Sequence, residues 1–423
     1  MTVTRSTDHR FVSAPSIRRL GRRSSSLALG LAFVAMFASA PGQSFLLSVF
    51  VDDLLEDTGL SRTVFSSLYA LATIVSATVS LVLGRATDRL GLRAAWFGVA
   101  AGLVCACLIA SAADGLVLAF VGLALLRAFG QGSFPLLGTL IVNYWFPARR
   151  GAAMAAASFG ITAATIALPP LVALLIGGVG WQTAYRILAV VLLAVVLPLG
   201  FLLQRPPDAP PSAESTLPLA LAEIASPSPS RRSRRLRIRI PRREAALLLG
   251  VFAAPPLVMT AITFHAVSLL GDHGLSAPAA AAALSAFGAA SAVATVGVGA
   301  VADRLSTRKL LVAMSSALLV GVLVLLLDSA ALAYAGFAAI GAAGGLFGVT
   351  SGIVWARTYG VVGLGRLQGV SFAAQIAAAA AGPLPLALSL QATGSYSAGV
   401  LFLAAVAAAA LVGAARWREP LVT

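Results

Sequence analysis

The chain has 423 residues, of which 59% are hydrophobic and 11% charged. A soluble domain carries about 25% charged residues, so a water-soluble enzyme is excluded, and so is a disordered chain, whose signature is low hydrophobicity. The net charge of +15 comes from Lys and Arg placed between apolar segments, which points to a membrane surface rather than to nucleic acid.

A membrane-crossing helix needs about 20 mostly apolar residues, and twelve such stretches follow one another. A basic N-tail, 1–26, precedes span 1 at 27–51, which is too long for a leader's apolar core, so no cleavable signal is expected. Pro41 kinks span 1 and frees backbone carbonyls beside Gln43 and Ser44. Asp52, Asp53, Glu56 and Asp57 then fill the connection to span 2 at 63–84, which carries Tyr69. Span 3 is 94–113, with Cys105 and Cys107 as two small core residues rather than a disulfide or metal site.

Span 4, 115–144, carries Arg127 near its middle, followed by Gly130-Gln131-Gly132, a small-residue segment that lets another helix approach closely. Ionisable groups inside a membrane are costly and point to function. The spans hold no mid-membrane acid, so an anion is the natural partner of this guanidinium, whose fork fits a carboxylate. Bonding to backbone carbonyls or Tyr is the competing role. Spans 5 and 6 are 151–178 and 181–204, with Arg186 near the outer end of span 6, where it can reach the interface.

The stretch 205–243 is rich in Pro, Ser and Arg and reads as a linker between two six-span halves, 27–204 and 244–416. Its run Arg231–Arg243 is expected to meet anionic lipid. Span 7, 244–270, repeats the break with Pro255-Pro256 and carries His265, the best-placed proton carrier in the absence of a buried acid. Spans 8 to 12 are 278–301, 310–328, 330–358, 367–392 and 395–416, with Trp355 and Gln375 as further lining residues, and a tail at 417–423. The three histidines, His9, His265 and His273, are scattered, and no ligand cluster, nucleophile–base pair or phosphate loop is present. No metal, cofactor or enzymatic activity is therefore expected.

Of the 30 Lys and Arg, 27 fall on one side of the spans, with both tails and the linker, which makes that side cytoplasmic by the positive-inside rule. The halves also share a register. Adding 215 carries Pro41 to Pro256, Gly59-Leu60-Ser61 to Gly274-Leu275-Ser276, Gly84 to Gly299 and Asp88-Arg89-Leu90 to Asp303-Arg304-Leu305. Arg93 likewise maps to Arg308. A parallel repeat of six-helix halves is the signature of a transporter that rocks around a central site.

Gly84-Arg85-Ala86-Thr87-Asp88-Arg89-Leu90-Gly91-Leu92-Arg93 matches the G-x-x-x-D-R-x-G-x-R signature of the major facilitator superfamily, and 299–309 is a degenerate second copy with Ser306 in place of the second glycine. The chain is similar to that family over 27–416, which implies an all-α membrane protein of twelve transmembrane helices in two pseudo-symmetric six-helix bundles. The resemblance implies a gate in which Asp88, Arg89, Arg93 and their counterparts Asp303, Arg304 and Arg308 hold the cytoplasmic face shut through charged bonds between helix ends.

Asn143-Tyr144-Trp145-Phe146-Pro147-Ala148-Arg149-Arg150-Gly151, Gly59-Leu60-Ser61-Arg62, Phe264-His265-Ala266-Val267 and Gly365-Arg366-Leu367-Gln368-Gly369 resemble segments of the monocarboxylate porter and oxalate/formate antiporter branch. Gln375 stands where the oxalate-type carriers have Lys, and Pro41-Gly42-Gln43-Ser44 lacks the basic residue of the animal monocarboxylate carriers. The expected function is alternating-access transport of a small organic anion, with a monocarboxylate first, coupled to protons or to exchange. Arg127, His265, Gln43, Ser44, Tyr69, Gln131 and Gln375 form the expected site. The alternative is a drug or metabolite exporter of the same fold, followed by a transport-dead sensor and a membrane enzyme. A monomer in a bacterial cytoplasmic membrane is expected, the abundance of Ala and Arg beside a single Lys pointing to a GC-rich genome.

Overall fold

A computed structural model describes residues 14–204, 242–272, 274–275, 277–327 and 329–419. The segment 205–241, most of the expected lipid-binding run, and His9 and His273 lie outside the described residues. The described chain is nearly all helical and has twelve helices long and apolar enough to cross a membrane. Six precede the segment 205–241: Ser24–Thr58, Ser67–Leu90, Leu92–Ala110, Leu116–Trp145, Arg150–Val179 and Trp181–Leu202. Six follow it: Arg243–Phe264, Ala282–Val301, Thr307–Val324, Ala330–Tyr359, Leu364–Thr393 and Ser397–Arg416. They are numbered spans 1 to 12.

The ends differ from the sequence expectation where polarity and helicity part company. Span 1 runs on to Thr58, so Asp52, Asp53, Glu56 and Asp57 stand on a helix, Ser44–Thr58, and not in a loop. Nothing in that stretch breaks a helix until Gly59, which takes the left-handed conformation with φ 65°. Its repeat mate Gly274 does the same with φ 76°. Ser61 then caps the next helix, its hydroxyl accepting from the Val64 amide at 3.3 Å. Span 2 reaches Leu90, which puts Asp88 in its last turn. Ser306, the departure in the second motif copy, has its own use: it caps span 9 by accepting from the Lys309 amide at 3.4 Å.

Spans 1 and 11 are interrupted. In span 1 a short 3-10 turn, Ala40–Gly42, links the helices Ala14–Ala38 and Ser44–Thr58. Span 11 breaks at Gly382-Pro383. Span 7 passes through Pro255-Pro256 as a helix and ends at Phe264, and a separate helix, Ala266–Asp272, follows His265.

The two halves meet along spans 2 and 11, 5 and 8, 5 and 10, and 4 and 10. The tightest approaches cluster toward the face that carries the basic loops. A Cβ on Gly365 would lie 2.5 Å from the Gly84 carbonyl oxygen, one on Gly369 2.6 Å from the Ser80 oxygen, and one on Gly151 2.5 Å from the Ala302 Cβ. Small residues are what allow helix backbones this close in a membrane. One apolar cluster runs through this contact from Met154 to Ile353, Val354 and Leu364, whereas a second is confined to the C-terminal half, from Ala254 to Ala410. Toward the acidic face the outer segments pack mainly within their own halves: Ser44–Thr58 on spans 5 and 6, and Pro383–Thr393 on spans 12 and 7. The molecule is thus closed at the basic face.

Gly84→Val tests that closure. Overpacking of this kind costs about 1–3 kcal/mol, so the closed form should lose roughly tenfold in population. In a protein whose Cys105 and Cys107 are replaced by Ala, a reporter at Gln368→Cys, fully buried here, should react with a thiol reagent about tenfold faster in the Gly84→Val variant. An unchanged rate would show that spans 2 and 11 do not hold the face shut.

Candidate functional site

The centre of the N-terminal half is built around two departures from helical geometry. In span 4 the residues Leu126–Ser133 form a π-helix, marked by the Ser133 hydroxyl donating to the Ala128 carbonyl at 2.7 Å. Such wide turns leave carbonyls without their usual amide partners and recur at functional sites. Span 2 supplies what is missing: the Ser76 hydroxyl donates to the Arg127 carbonyl at 2.8 Å and the Ser80 hydroxyl to the Gly132 carbonyl at 3.1 Å. The glycines make this contact possible, because a Cβ on Gly132 would fall 2.6 Å from the Ser76 hydroxyl oxygen, and one on Gly130 2.6 Å from the Gly42 amide nitrogen.

Arg127 is 2% exposed. One terminal nitrogen donates to the Gly42 carbonyl at 3.3 Å and to the Ser44 hydroxyl at 3.4 Å, and the other to the Thr73 hydroxyl at 3.0 Å. The guanidinium carbon lies 4.3 Å from the centroid of the Tyr69 ring, a cation–π stack. Nε has no partner. The Pro41 break of span 1 and the side chain of span 4 therefore complete one another, since the 3-10 turn presents the Gly42 carbonyl that the arginine takes. Among the described residues no carboxylate bonds Arg127.

Ser44 and Tyr69 share a hydrogen bond through their hydroxyls. Ser44 is exposed and Tyr69 half-buried, so these two lie between the arginine and open space. Gln43 turns aside, its Nε2 donating to the Ser39 hydroxyl at 3.1 Å. Gln131 is half-buried with Oε1 unpartnered. The sequence expectation thus brings Arg127, Ser44 and Tyr69 together, adds Gln43 and Gln131 beside them, and misses Thr73. An i, i+4 count from Tyr69 along span 2 would have found it.

The C-terminal residues are placed apart from this group. His265 sits at the bend after span 7, where Nε2 is 3.1 Å from the Pro383 carbonyl oxygen, flanked by the rings of Phe264 and Tyr396. Because a carbonyl only accepts, Nε2 carries the hydrogen. The histidine thereby serves the broken backbone of span 11. Gln375 is buried and donates to the Ser371 hydroxyl at 2.8 Å. Trp355 is no lining residue: it is 1% exposed, stacked on Tyr359 and packed at a tilt against Phe252. Arg186 is exposed near the outer end of span 6.

At the basic face the aspartates of the repeated motif reach across to the other half, and their partners are backbone amides. Asp88 accepts from the Gly365 and Arg366 amides at 2.8 and 2.7 Å, at the start of span 11. Asp303 accepts from the Gly151 and Ala152 amides at 2.8 and 3.3 Å, at the start of span 5. Free amides and the positive end of the helix dipole favour a carboxylate there.

This corrects the expected charge pairing with the motif arginines. Arg93 donates to the Phe201 carbonyl at 3.1 Å and lies over that ring, within its own half. The arginine that does pair with Asp303, at 3.3 Å, is Arg357 of span 10, whose side chain also donates to the Leu305 and Ala302 carbonyls. Among the described residues, Arg89, Arg304 and Arg308 show no bond to either aspartate. A further buried contact joins the two halves, and sequence reading also misses it. The Gly352 carbonyl of span 10 accepts from Asn143 Nδ2 of span 4 at 2.7 Å and from Gln368 Nε2 of span 11 at 2.9 Å.

Replacing Asp88 by Ala should cost roughly 0.5–2 kcal/mol, the value of a helix cap, and the closed face should loosen accordingly. Spin labels on exposed Arg89→Cys and Val362→Cys in the background lacking Cys105 and Cys107 should report a larger population at long distance, by about twofold to thirtyfold. Asp88→Asn, which keeps one acceptor oxygen, should fall between. Identical distance distributions in all three would remove Asp88 from the closure.

The family model described as Major Facilitator Superfamily matches residues 32–330, a range that includes both aspartates. No curated protein matches the sequence. Among solved structures, the human organic anion transporter MFSD10 (TETRAN) is similar at 18% identity and a TM-score of 0.67, covering 92% of this chain and 99% of that one. FucP in the outward conformation is similar at 16% identity and a TM-score of 0.70, over 94% and 100% of the two chains. A third is a single-substitution variant of the E. coli fucose:proton symporter FucP, at 15% identity and a TM-score of 0.67, over 94% of this chain and 100% of that one. With twelve spans in two related halves and the family model over most of its length, this chain belongs to the Major Facilitator Superfamily and is a membrane transporter, not an enzyme.

Proposed function

We propose that this transporter moves a small organic anion, a monocarboxylate first, by alternating access, coupled to a proton or to an exchanged anion. The observation that carries the proposal is the Arg127 guanidinium, buried at mid-span with its Nε unpaired and bonded only to neutral groups. A buried charge without a counter-charge is costly, and an anion offsets that cost on arrival. The hydroxyls of Ser44 and Tyr69, bonded to one another beside the guanidinium, are the first polar groups it meets. The organic anion transporter and the fucose symporter share this fold, so the choice of an anion rests on Arg127 and not on the fold.

By the positive-inside rule the basic face is cytoplasmic, in a bacterial cytoplasmic membrane, and the closure described above then makes this an outward-facing form. The gate is Asp88 with Gly365 and Arg366, and Asp303 with Gly151, Ala152 and Arg357. His265 is the proposed proton carrier, and the run Arg231–Arg243 the proposed contact with anionic lipid. The burial of Arg127 behind Tyr69 favours one second reading, an exporter of neutral or cationic compounds in which the arginine is purely structural.

Thermal unfolding of the purified protein with a panel of carboxylates and cationic drugs separates the two, because a ligand of the native state raises apparent stability, by about 2.7 kcal/mol at a hundred times its Kd. A carboxylate should stabilise the wild type and not Arg127→Gln. Stabilisation by cations alone, equal in both proteins, would sink the anion reading.

A further inference from the structure

The two halves are related by the repeat, but the buried arginine with its hydroxyl partners belongs to the N-terminal half. The register holds at the relevant depth, since Ser76 maps to Ser291, Ser80 to Thr295 and Pro41 to Pro256. The structure keeps the correspondence: span 10 packs its glycines on span 8 as span 4 does on span 2, with a Cβ on Gly345 falling 2.8 Å from the Thr295 amide.

At the mates of the anion pocket the chemistry is reversed. Ser44 is replaced by Met259, Tyr69 by Leu284, Thr73 by Gly288, and Arg127 by Ala342. Met259 and Leu284 are both half-buried at the edge of the C-terminal apolar cluster, and the exposed Gly288 leaves Leu284 uncovered on that side. Met259 also lies against span 10, with Cε 2.7 Å from where a Cβ on Gly344 would be. Gln375 of span 11 is polar, but its amide nitrogen is committed to Ser371.

Resting on the anion reading above, we infer that the substrate is an amphipathic acid, whose carboxylate faces Ser44, Tyr69 and Arg127 and whose apolar body lies against Met259 and Leu284. A polyhydroxylated acid would leave its hydroxyls unpaired on that wall, at the cost of a buried polar group without a partner. A straight-chain acid gains with each methylene that leaves water. Met is also the side chain best suited to apolar bodies of varied shape.

The test is binding to the full-length protein of acetate, butyrate and hexanoate, with gluconate as the hydroxylated acid and hexanamide as the neutral one. Affinity should rise roughly threefold to fourfold per methylene from acetate to hexanoate, with gluconate and hexanamide much weaker than hexanoate. Met259→Ser and Leu284→Tyr each install the residue of the opposite half, and in whichever folds the chain-length dependence should flatten while acetate binds as before. If the acids bind equally at every length, or if both variants keep the wild-type dependence, the apolar wall is overturned and the anion reading stands. If hexanamide binds as well as hexanoate, the anion reading falls instead. If no acid binds, both fall.

Discussion

Inside a bilayer no water is present to satisfy a backbone group, so each break in a helix must be answered by another part of the protein. Much of this molecule follows from that constraint. The turn at Pro41 presents the Gly42 carbonyl, and Arg127 takes it. The π-helix of span 4 presents the carbonyls of Arg127 and Gly132, and the hydroxyls of Ser76 and Ser80 take them. The break at Gly382-Pro383 presents a carbonyl to His265. At the basic face the first amides of spans 5 and 11 are taken by Asp303 and Asp88. Residues that look like isolated polar anomalies in an apolar sequence are thus tied to the irregular backbone that a moving, ligand-holding protein needs.

The repeat gives the gate its symmetry and the site its asymmetry. Positions 150–151 and 365–366 correspond under the same offset of 215 as the two aspartates, so each half supplies one carboxylate and one helix start. Among the described residues, Arg357 breaks the equivalence by adding an ion pair on the Asp303 side. Deeper in, the halves diverge: one holds a cation among hydroxyls, the other an apolar surface.

Spans, sidedness and repeat are legible because they depend on apolar length, Arg placement and register, all of which a sequence carries. Arg127 is legible for the same reason, as a charge in an apolar run. The partners of Asp88 are not, since a backbone amide has no letter of its own, and only the matching helix starts of the repeat hint at them. The acidic residues 52–57 read as a loop because apolarity ends before helicity does, and the helix stops at Gly59. The indole of Trp355 suggests a lining residue, whereas packing against Phe252 and Tyr359 places it in the core. Asn143 and Gln368 stand in segments whose sequence carries only a resemblance.

The carbonyl of Gly352 bears on how readily the closed face can come apart. It is held from both halves at once, by Asn143 and by Gln368. Separation at this level breaks the Asn143 bond, yet Gly352 keeps Gln368, and Asn143 Nδ2 keeps the Thr139 carbonyl at 2.8 Å. Only one N–H of the Asn143 amide loses its partner, so the rupture carries little of the desolvation penalty of an abandoned buried group. The contact is a catch that registers the two halves when they meet and adds little to the activation barrier when they part. The heavier cost of opening sits at the rim, where Asp88 gives up the first amides of span 11 and Asp303 gives up those of span 5 together with Arg357.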